Sequence, residues 1–402
     1  MRNEEREMNT AKFKDSPLGP IPQDWEVKRL GDLFDFAAAG DLQDNCSSKM
    51  PTHDNIYPIY SNTVPQKGLY GYTSRPRFKK GCMTITGRGT LGHAEYRDSD
   101  FDAIIRLIVM QPHKDVDARF FVAYVNTYSP FTVSVSSIPQ LTVPQVQETI
   151  VPYPPLPEQQ RIAEALGEVD KLIESLDEQI EKKRLIAKGV AHDLLSGKKR
   201  LPGFKGEWEM VKLGDMGIWL KGQALSKSDV TSTGTYECIH YGELFTKYGP
   251  VIQTIVSRTD KEPTISSVCG DILFPSSDVT PEGLGRCSAI MADGVVLGGD
   301  MIILRLGVTC SPQLVSHVIN QNRRMIIAKV TGITVRHITS KALSNIEIPL
   351  PPTLAEQQAI ANLLSEQDAD IAALEAKREK YARIKEGMMR DLLTGKVRLK
   401  GE

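Results

Sequence analysis

One phrase occurs twice in this chain, and that repetition restricts the fold more than any other feature. Pro154-Pro155-Leu156-Pro157-Glu158-Gln159-Gln160-Arg161-Ile162-Ala163 returns as Pro351-Pro352-Thr353-Leu354-Ala355-Glu356-Gln357-Gln358-Ala359-Ile360-Ala361. Each copy opens a long charged segment, and the two segments close alike, on Asp193-Leu194-Leu195-Ser196-Gly197-Lys198 and Asp391-Leu392-Leu393-Thr394-Gly395-Lys396. A third echo precedes each half: Trp25-Glu26 runs to Leu30-Gly31-Asp32, and Trp208-Glu209 runs to Leu213-Gly214-Asp215. Such repetition means two copies of one unit in one chain, and hence a pseudo-symmetric molecule. It suits a target that itself has two parts.

The segments after the Pro-rich phrases read as helices, because proline blocks an earlier start and Ser/Thr-Gly is a good C-terminal stop. In the first, Ile162, Leu166, Val169, Ile173, Leu176, Ile180, Ala187, Val190 and Leu194 follow alternating four-and-three spacing, broken by Lys183. In the second, Ile360, Leu364, Ile371, Leu374, Tyr381, Met388 and Leu392 take the equivalent places, with Gln367, Arg378 and Lys385 interrupting. An average spacing of about 3.5 predicts a coiled-coil seam. About 36 residues make a rod of roughly 54 Å, longer than a small domain can cover, so the two helices are expected to pack on each other. Charge sets the direction. Glu158–Glu181 holds eight acidic and two basic residues, whereas Lys182–Arg200 holds seven basic residues and one acid, Asp193. The second helix has five acids and no bases over Glu356–Glu375, then mostly Lys and Arg. Antiparallel packing sets the acidic start of each against the basic end of the other and complements both helix dipoles.

The rest has the texture of two mixed α+β globules. In the first, Cys82–Thr86 and Ile104–Met110 read as strands and Asp117–Thr127 as a helix; in the second, Asp271–Phe274 and Met301–Leu306 read as strands and Pro312–Lys329 as a helix. The expected order is an irregular tail over 1–20, a globule over 21–155, a helix over 156–200, a second globule over 201–353, and a second helix with a tail over 354–402. Gly395-Lys396-Val397-Arg398-Leu399 copies Gly197-Lys198-Lys199-Arg200-Leu201, so the chain ends where another globule would begin, as if circular. The fold class is therefore α+β: two pseudo-symmetric globules separated by two long antiparallel helices. Six cysteines without a CxxC pair and the lack of a signal peptide predict a reducing cytoplasm. No apolar run approaches the ~18 residues of a membrane span.

Catalytic signatures are mostly absent: there is no Walker A loop, no HExxH and no paired-His metal spacing. Gly87-Arg88-Gly89-Thr90-Leu91-Gly92 matches GxGxxG but leads into His93-Ala94-Glu95-Tyr96-Arg97-Asp98, poor helix where a dinucleotide fingerprint needs one. It reads as a glycine-rich turn. Charge patterning says more. Asn55–Ala94 holds no acid but holds Lys67, Arg75, Arg77, Lys79, Lys80 and Arg88. Met301–Ile346 holds none either, against Arg305, Arg323, Arg324, Lys329, Arg336 and Lys341. With a formal net charge of -1 overall, such stretches imply one positive face on each globule, a footprint for phosphates. Alignment of the halves sets Ile138-Pro139-Gln140-Leu141-Thr142 on Val335-Arg336-His337-Ile338-Thr339, a shared frame with exchanged polar tips. Gln favours adenine edges and Arg guanine edges in the major groove.

The doubled helix starts, the doubled helix ends and the variable domains before each helix together resemble a type I restriction–modification specificity subunit, from Trp25 to Lys400. The resemblance implies two target-recognition domains, each reading half of an interrupted site in double-stranded DNA. It implies a spacer that sets the gap and docks two modification subunits, for which Glu158, Gln159, Gln160, Glu356, Gln357 and Gln358 at the helix starts are the candidates. It also implies S-adenosylmethionine in those partners rather than here, a motor and nuclease subunit joining for cleavage, and no catalysis or metal in this chain. The DNA-contact candidates are Lys67, Arg75, Arg77, Lys79, Lys80, Arg88, Gln140, Arg323, Arg324, Arg336 and His337. A coiled-coil adaptor binding only protein accounts for the helices but not for the basic stretches. A stand-alone DNA-modifying enzyme lacks its motifs.

Overall fold

The computed structural model describes residues 13–42, 47–131 and 139–399. Cys46 and Ile138, and the tail before Phe13, lie outside them. The remainder of the expected tail is not irregular: Phe13–Lys14 pairs antiparallel with Ile21–Pro22. The Ser16–Gly19 turn makes this possible, with Gly19 at φ +89 and its N–H on the Ser16 carbonyl at 2.9 Å.

The chain folds into two compact units, 1–177 together with 376–402, and 178–375. Each unit contains the start of one long helix and the end of the other. The helices span Leu156–Leu195 and Leu354–Leu392. Inside the first unit Arg378 pairs with Asp177 and Lys385 with Asp170; inside the second, Lys183 pairs with Asp370 and Arg184 with Glu375. In the first unit the partner number falls from Asp177 to Asp170 as the residue number rises from Arg378 to Lys385, the signature of antiparallel helices. The charged interruptions of the apolar stripe are thus cross-helix ion pairs at exposed positions, each worth about 0–1 kcal/mol. The apolar residues carry the seam, with Ile162, Leu166, Leu176, Ile180, Ile360 and Leu364 all buried.

Each globule carries a mainly antiparallel sheet. In the first unit its order is Phe34–Ala38, Ile108–Pro112, Met83–Ile85, Ala94–Tyr96; in the second it is Gly217–Lys221, Met301–Leu306, Ile272–Pro275, Ser288–Ile290, Val251–Ile252. A two-stranded ladder closes each globule beside its helix: Glu26–Arg29 on Ile150–Tyr153, and Glu209–Lys212 on Glu347–Leu350. Helix Ala118–Tyr128 starts at an Asp117 cap, as the sequence indicates. The expected helix over 312–329 is two pieces, Pro312–Gln321 and Arg324–Ile327. Asn322 interrupts it, its side-chain amide donating to the Val318 carbonyl at 2.9 Å. The expected strand over 104–110 begins only at Ile108, because Ile105 and Arg106 both stand at φ +56. No helix among the described residues is long and apolar enough to cross a membrane.

Candidate nucleic-acid interface

The Glu-Gln pairs at the helix starts face inward, which corrects the expectation that they dock a partner. Glu158, Gln159, Glu356 and Gln357 are buried, and only Gln160 and Gln358 are exposed. Gln159 Oε1 accepts from the Asp117 N–H and its amide donates to the Pro154 carbonyl, at 2.9 and 2.8 Å. Gln357 repeats both bonds, with the Ser311 N–H and the Pro351 carbonyl at the same distances. The carboxylates receive forked guanidinium groups: Glu158 from Arg398 at 2.7 and 2.6 Å, and Glu356 from Arg200 at 2.5 Å twice. Gly395 packs over Trp25 and Gly197 over Trp208, both at positive φ, so the repeated Gly-Lys-x-Arg-Leu phrase seats each helix end on a globule. These residues join globule to helix.

The basic stretches resolve into two kinds of residue. Arg77 is held by buried Asp102 and also donates to the Ala103 carbonyl, and Arg305 makes a forked pair with buried Asp271. Both are structural, which corrects the place of Arg77 among the contact candidates. Lys79 pairs with Asp100 at 2.9 Å, a hydrogen bond that holds the Asp100 carboxyl below its usual range. Exposed Lys80 meets Asp100 through its backbone N–H, at 3.0 Å, and Lys67 and Arg75 are exposed and have no acidic partner among the described residues. The same is true of Arg323 and Arg324 in the second unit. Lys79 and Lys80 stand before strand Met83–Ile85 and Arg88 after it, so the fold does not gather them at one point.

It does gather Arg88 and Gln140. The Arg88 guanidinium donates to Gln140 Oε1 from Nε at 3.3 Å and Nη2 at 3.1 Å, at the solvent surface. Gly87–Gly92 is the connection of a hairpin, closed by Gly92 N–H on the Thr86 carbonyl, with no helix after it. The Leu141 N–H donates to the Gly87 carbonyl at 3.0 Å and ties the Gln140 loop to this turn. Asn62 braces the same place, accepting from the Gly87 N–H and donating to the Ile105 carbonyl.

The second unit builds the same frame with other tips. The Ile338 N–H donates to the Ser276 carbonyl at 3.0 Å, matching Leu141 on Gly87. Thr142 and Thr339 then start equivalent short helices, Val143–Gln147 and Ser340–Ser344. Arg336–His337 pairs with Ser277–Asp278, so His337 occupies the place of Gln140 and Ser277 that of Arg88. Helix Pro281–Leu284 packs against both this strand and Arg324–Ile327, which puts Arg323 and Arg324 on the segment next to the tips. Ile333 and Val279, 90% and 73% exposed, flank them. Sequence reasoning missed Arg106, an exposed residue whose backbone carbonyl lies beside Gly87 of the Arg88 turn and whose side chain has no acidic partner among the described residues. It falls in a run that reads as strand, so nothing local marks it.

A doubled α+β domain, carrying in each copy a basic, solvent-facing loop cluster on a shared frame with different tips, is the layout of a bipartite nucleic-acid-binding protein. The profile of the type I restriction modification DNA specificity domain matches residues 22–183 and again 205–385, and the chain belongs to that family. It is 24% identical to the putative type I restriction enzyme MjaX specificity subunit of Methanocaldococcus jannaschii, over 96% of this chain and 97% of that one. The MjaVIII specificity subunit of the same organism is 22% identical, with 96% of each covered. The crystal structure of the type I restriction-modification system S subunit from M. genitalium superposes with a TM-score of 0.66 at 16% identity, over 95% of this chain and 98% of that one.

Proposed function

We propose that this chain reads DNA for a type I restriction–modification complex, each globule recognising one half of an interrupted site, and itself performs no chemistry. The observation that carries the reading is the repeated frame: the same backbone bond, Leu141 on Gly87 and Ile338 on Ser276, presents Arg88 and Gln140 in one half and His337 in the other, where buried Ser277 stands in the place of Arg88. Equal frames with unequal tips suit two different half-sites. The long helices set the gap between the half-sites and dock two modification subunits, which bring S-adenosylmethionine; a motor and nuclease subunit joins for cleavage. Ile186 and Ile384 favour docking on the helices rather than at their starts. They hold equivalent positions in the repeat and are 52% and 40% exposed.

Methylome sequencing of cells expressing this chain with its modification subunit tests the reading. One interrupted, two-part motif is the expected outcome; methylation without a defined motif, or on one contiguous motif, refutes it. Phosphate contact has its own measurement. Replacing Arg75 and Lys80 by Ala should weaken binding to all sequences alike and flatten the salt dependence by about one unit per lost contact. Arg77→Ala should instead destabilise the fold by about 2 kcal/mol, since it strands Asp102, and leave the salt slope alone. A changed slope in that variant would return Arg77 to the interface.

A further inference from the structure

Both halves take a left-handed residue where the chain passes from one sheet to the next, between Asp102–Ala103 and Ile108–Pro112 in the first and between Val296–Gly298 and Met301–Leu306 in the second, and they do so with different residues. In the second unit Gln223 bridges Gly298 in parallel and the Gly222 N–H donates to the Met301 carbonyl; in the first, Gly40 bridges Ile104 and the Ala39 N–H donates to the Leu107 carbonyl. This register sets Ile105 opposite Gly299 and Arg106 opposite Asp300. Gly299 stands at φ +76, which glycine adopts freely. Ile105 and Arg106 both stand at φ +56, a conformation that a β-branched residue resists. Burial does not compensate, because the Ile105 side chain is 51% exposed. Strain of this kind persists where the surroundings over-determine it, and it concentrates at functional sites. Here the surroundings are the interface itself. The Asn62 amide donates to the Ile105 carbonyl while its oxygen holds the Gly87 N–H, and the next residue, Arg88, is bonded to Gln140. Asp300, at the position of Arg106, accepts from Ser277 at 2.7 Å and so faces its own framework. The Arg106 guanidinium is exposed and has no acidic partner among the described residues.

We propose that the Ile105–Arg106 turn is a specificity-determining element of the first half alone: Ile105 presents its apolar side chain to a thymine methyl group, and Arg106 its guanidinium to a guanine edge, beside the bases met by Arg88 and Gln140. Apolar contact with the thymine methyl and forked donation to guanine are the two major-groove interactions these side chains can make. Asn62 is the positioning residue, since it couples the strained turn to the Arg88 turn. The inference rests on the reading of this chain as a DNA-recognition subunit, so the experiment separates the two. The full-length chain, with its modification subunit, is expressed as wild type and as Ile105→Gly, Arg106→Ala and Arg88→Ala. Methylated motifs are sequenced, and each purified complex is melted. Ile105→Gly should keep or raise the melting temperature, because glycine accepts the conformation, yet lose about tenfold discrimination at one base pair of one half-site. Arg106→Ala should lose about as much at a neighbouring base pair of that half-site, and the other half-site should stay unchanged. Full discrimination in both variants, with Arg88→Ala relaxed, overturns this inference and leaves the recognition reading standing. A uniform loss of methylation with a lowered melting temperature marks the turn as structural and also overturns it. No defined motif for the wild-type complex defeats both.

Discussion

Arg398→Ala is expected to lower the melting temperature of the first unit by roughly 8–15 °C. Its side chain is 10% exposed and forks onto Glu158, itself 3% exposed, while a second pair of bonds reaches Asp24 at 2.8 and 2.9 Å. The guanidinium also lies 5.6 Å from the Trp25 ring. Removing it leaves Glu158 in a buried site with the Trp25 indole N–H, at 3.0 Å. Breaking a buried pair by deleting one partner costs about 3–5 kcal/mol. A unit of about 200 residues loses about 2–4 °C per kcal/mol. Arg398→Lys should recover part of the loss, because it restores the charge but not the fork. Scanning calorimetry checks both, and a drop under about 3 °C for Arg398→Ala would show that the C-terminal phrase is a loose end. Arg200→Ala, at the equivalent joint on Glu356, should act on the second unit in the same direction.

A chain ending at Leu201 is expected to pair with a second copy of itself. In the whole protein the first globule receives Arg398 from the far end of the sequence, and Arg200 belongs to the same repeated phrase. In the shortened chain, Arg200 of one copy takes the place of Arg398 on Glu158 of the other, and two copies of the first long helix run antiparallel. Two-fold pairing gives identical halves. Together with the modification subunit, the dimer should therefore direct methylation to a palindromic interrupted site. Sedimentation at micromolar concentration should show a dimer, and Glu158→Ala in the shortened chain should shift it to monomer. A monomer whose helix is unfolded by circular dichroism would rule out the modular account.

The helices and their direction were legible because both signals are local: spacing near 3.5 residues and a charge gradient along one segment. The cap at Asp117 is likewise written within a few residues. The basic stretches misled in part because ion pairing is not local. Arg77 finds its acid at Asp102 and Arg305 at Asp271, both outside the acid-free runs and brought close by sheet pairing. Glu158 and Gln159 were misread for a related reason. The resemblance offered them for docking a partner, whereas Arg398 and the Asp117 N–H come from elsewhere in the chain to satisfy them. The turn at Ile105 was hidden by composition, since β-branched residues on both sides read as strand and no glycine announces the positive φ.

The first unit is discontinuous in sequence, built from 1–177 and 376–402, while the second is the uninterrupted stretch 178–375. Synthesis from the N-terminus therefore completes them in the reverse of their order in the gene. The second unit has all its residues once Glu375 is made, whereas the first globule, finished earlier, still lacks the helix end and the arginine that close it. From Asp177 to Arg398 is 221 residues, which at about 5–20 residues per second is a delay of roughly 11–44 s. Through that interval Ile162, Leu166 and the Glu158 carboxylate stand open on the nascent chain. A helix end made late is what locks the globule that was made early.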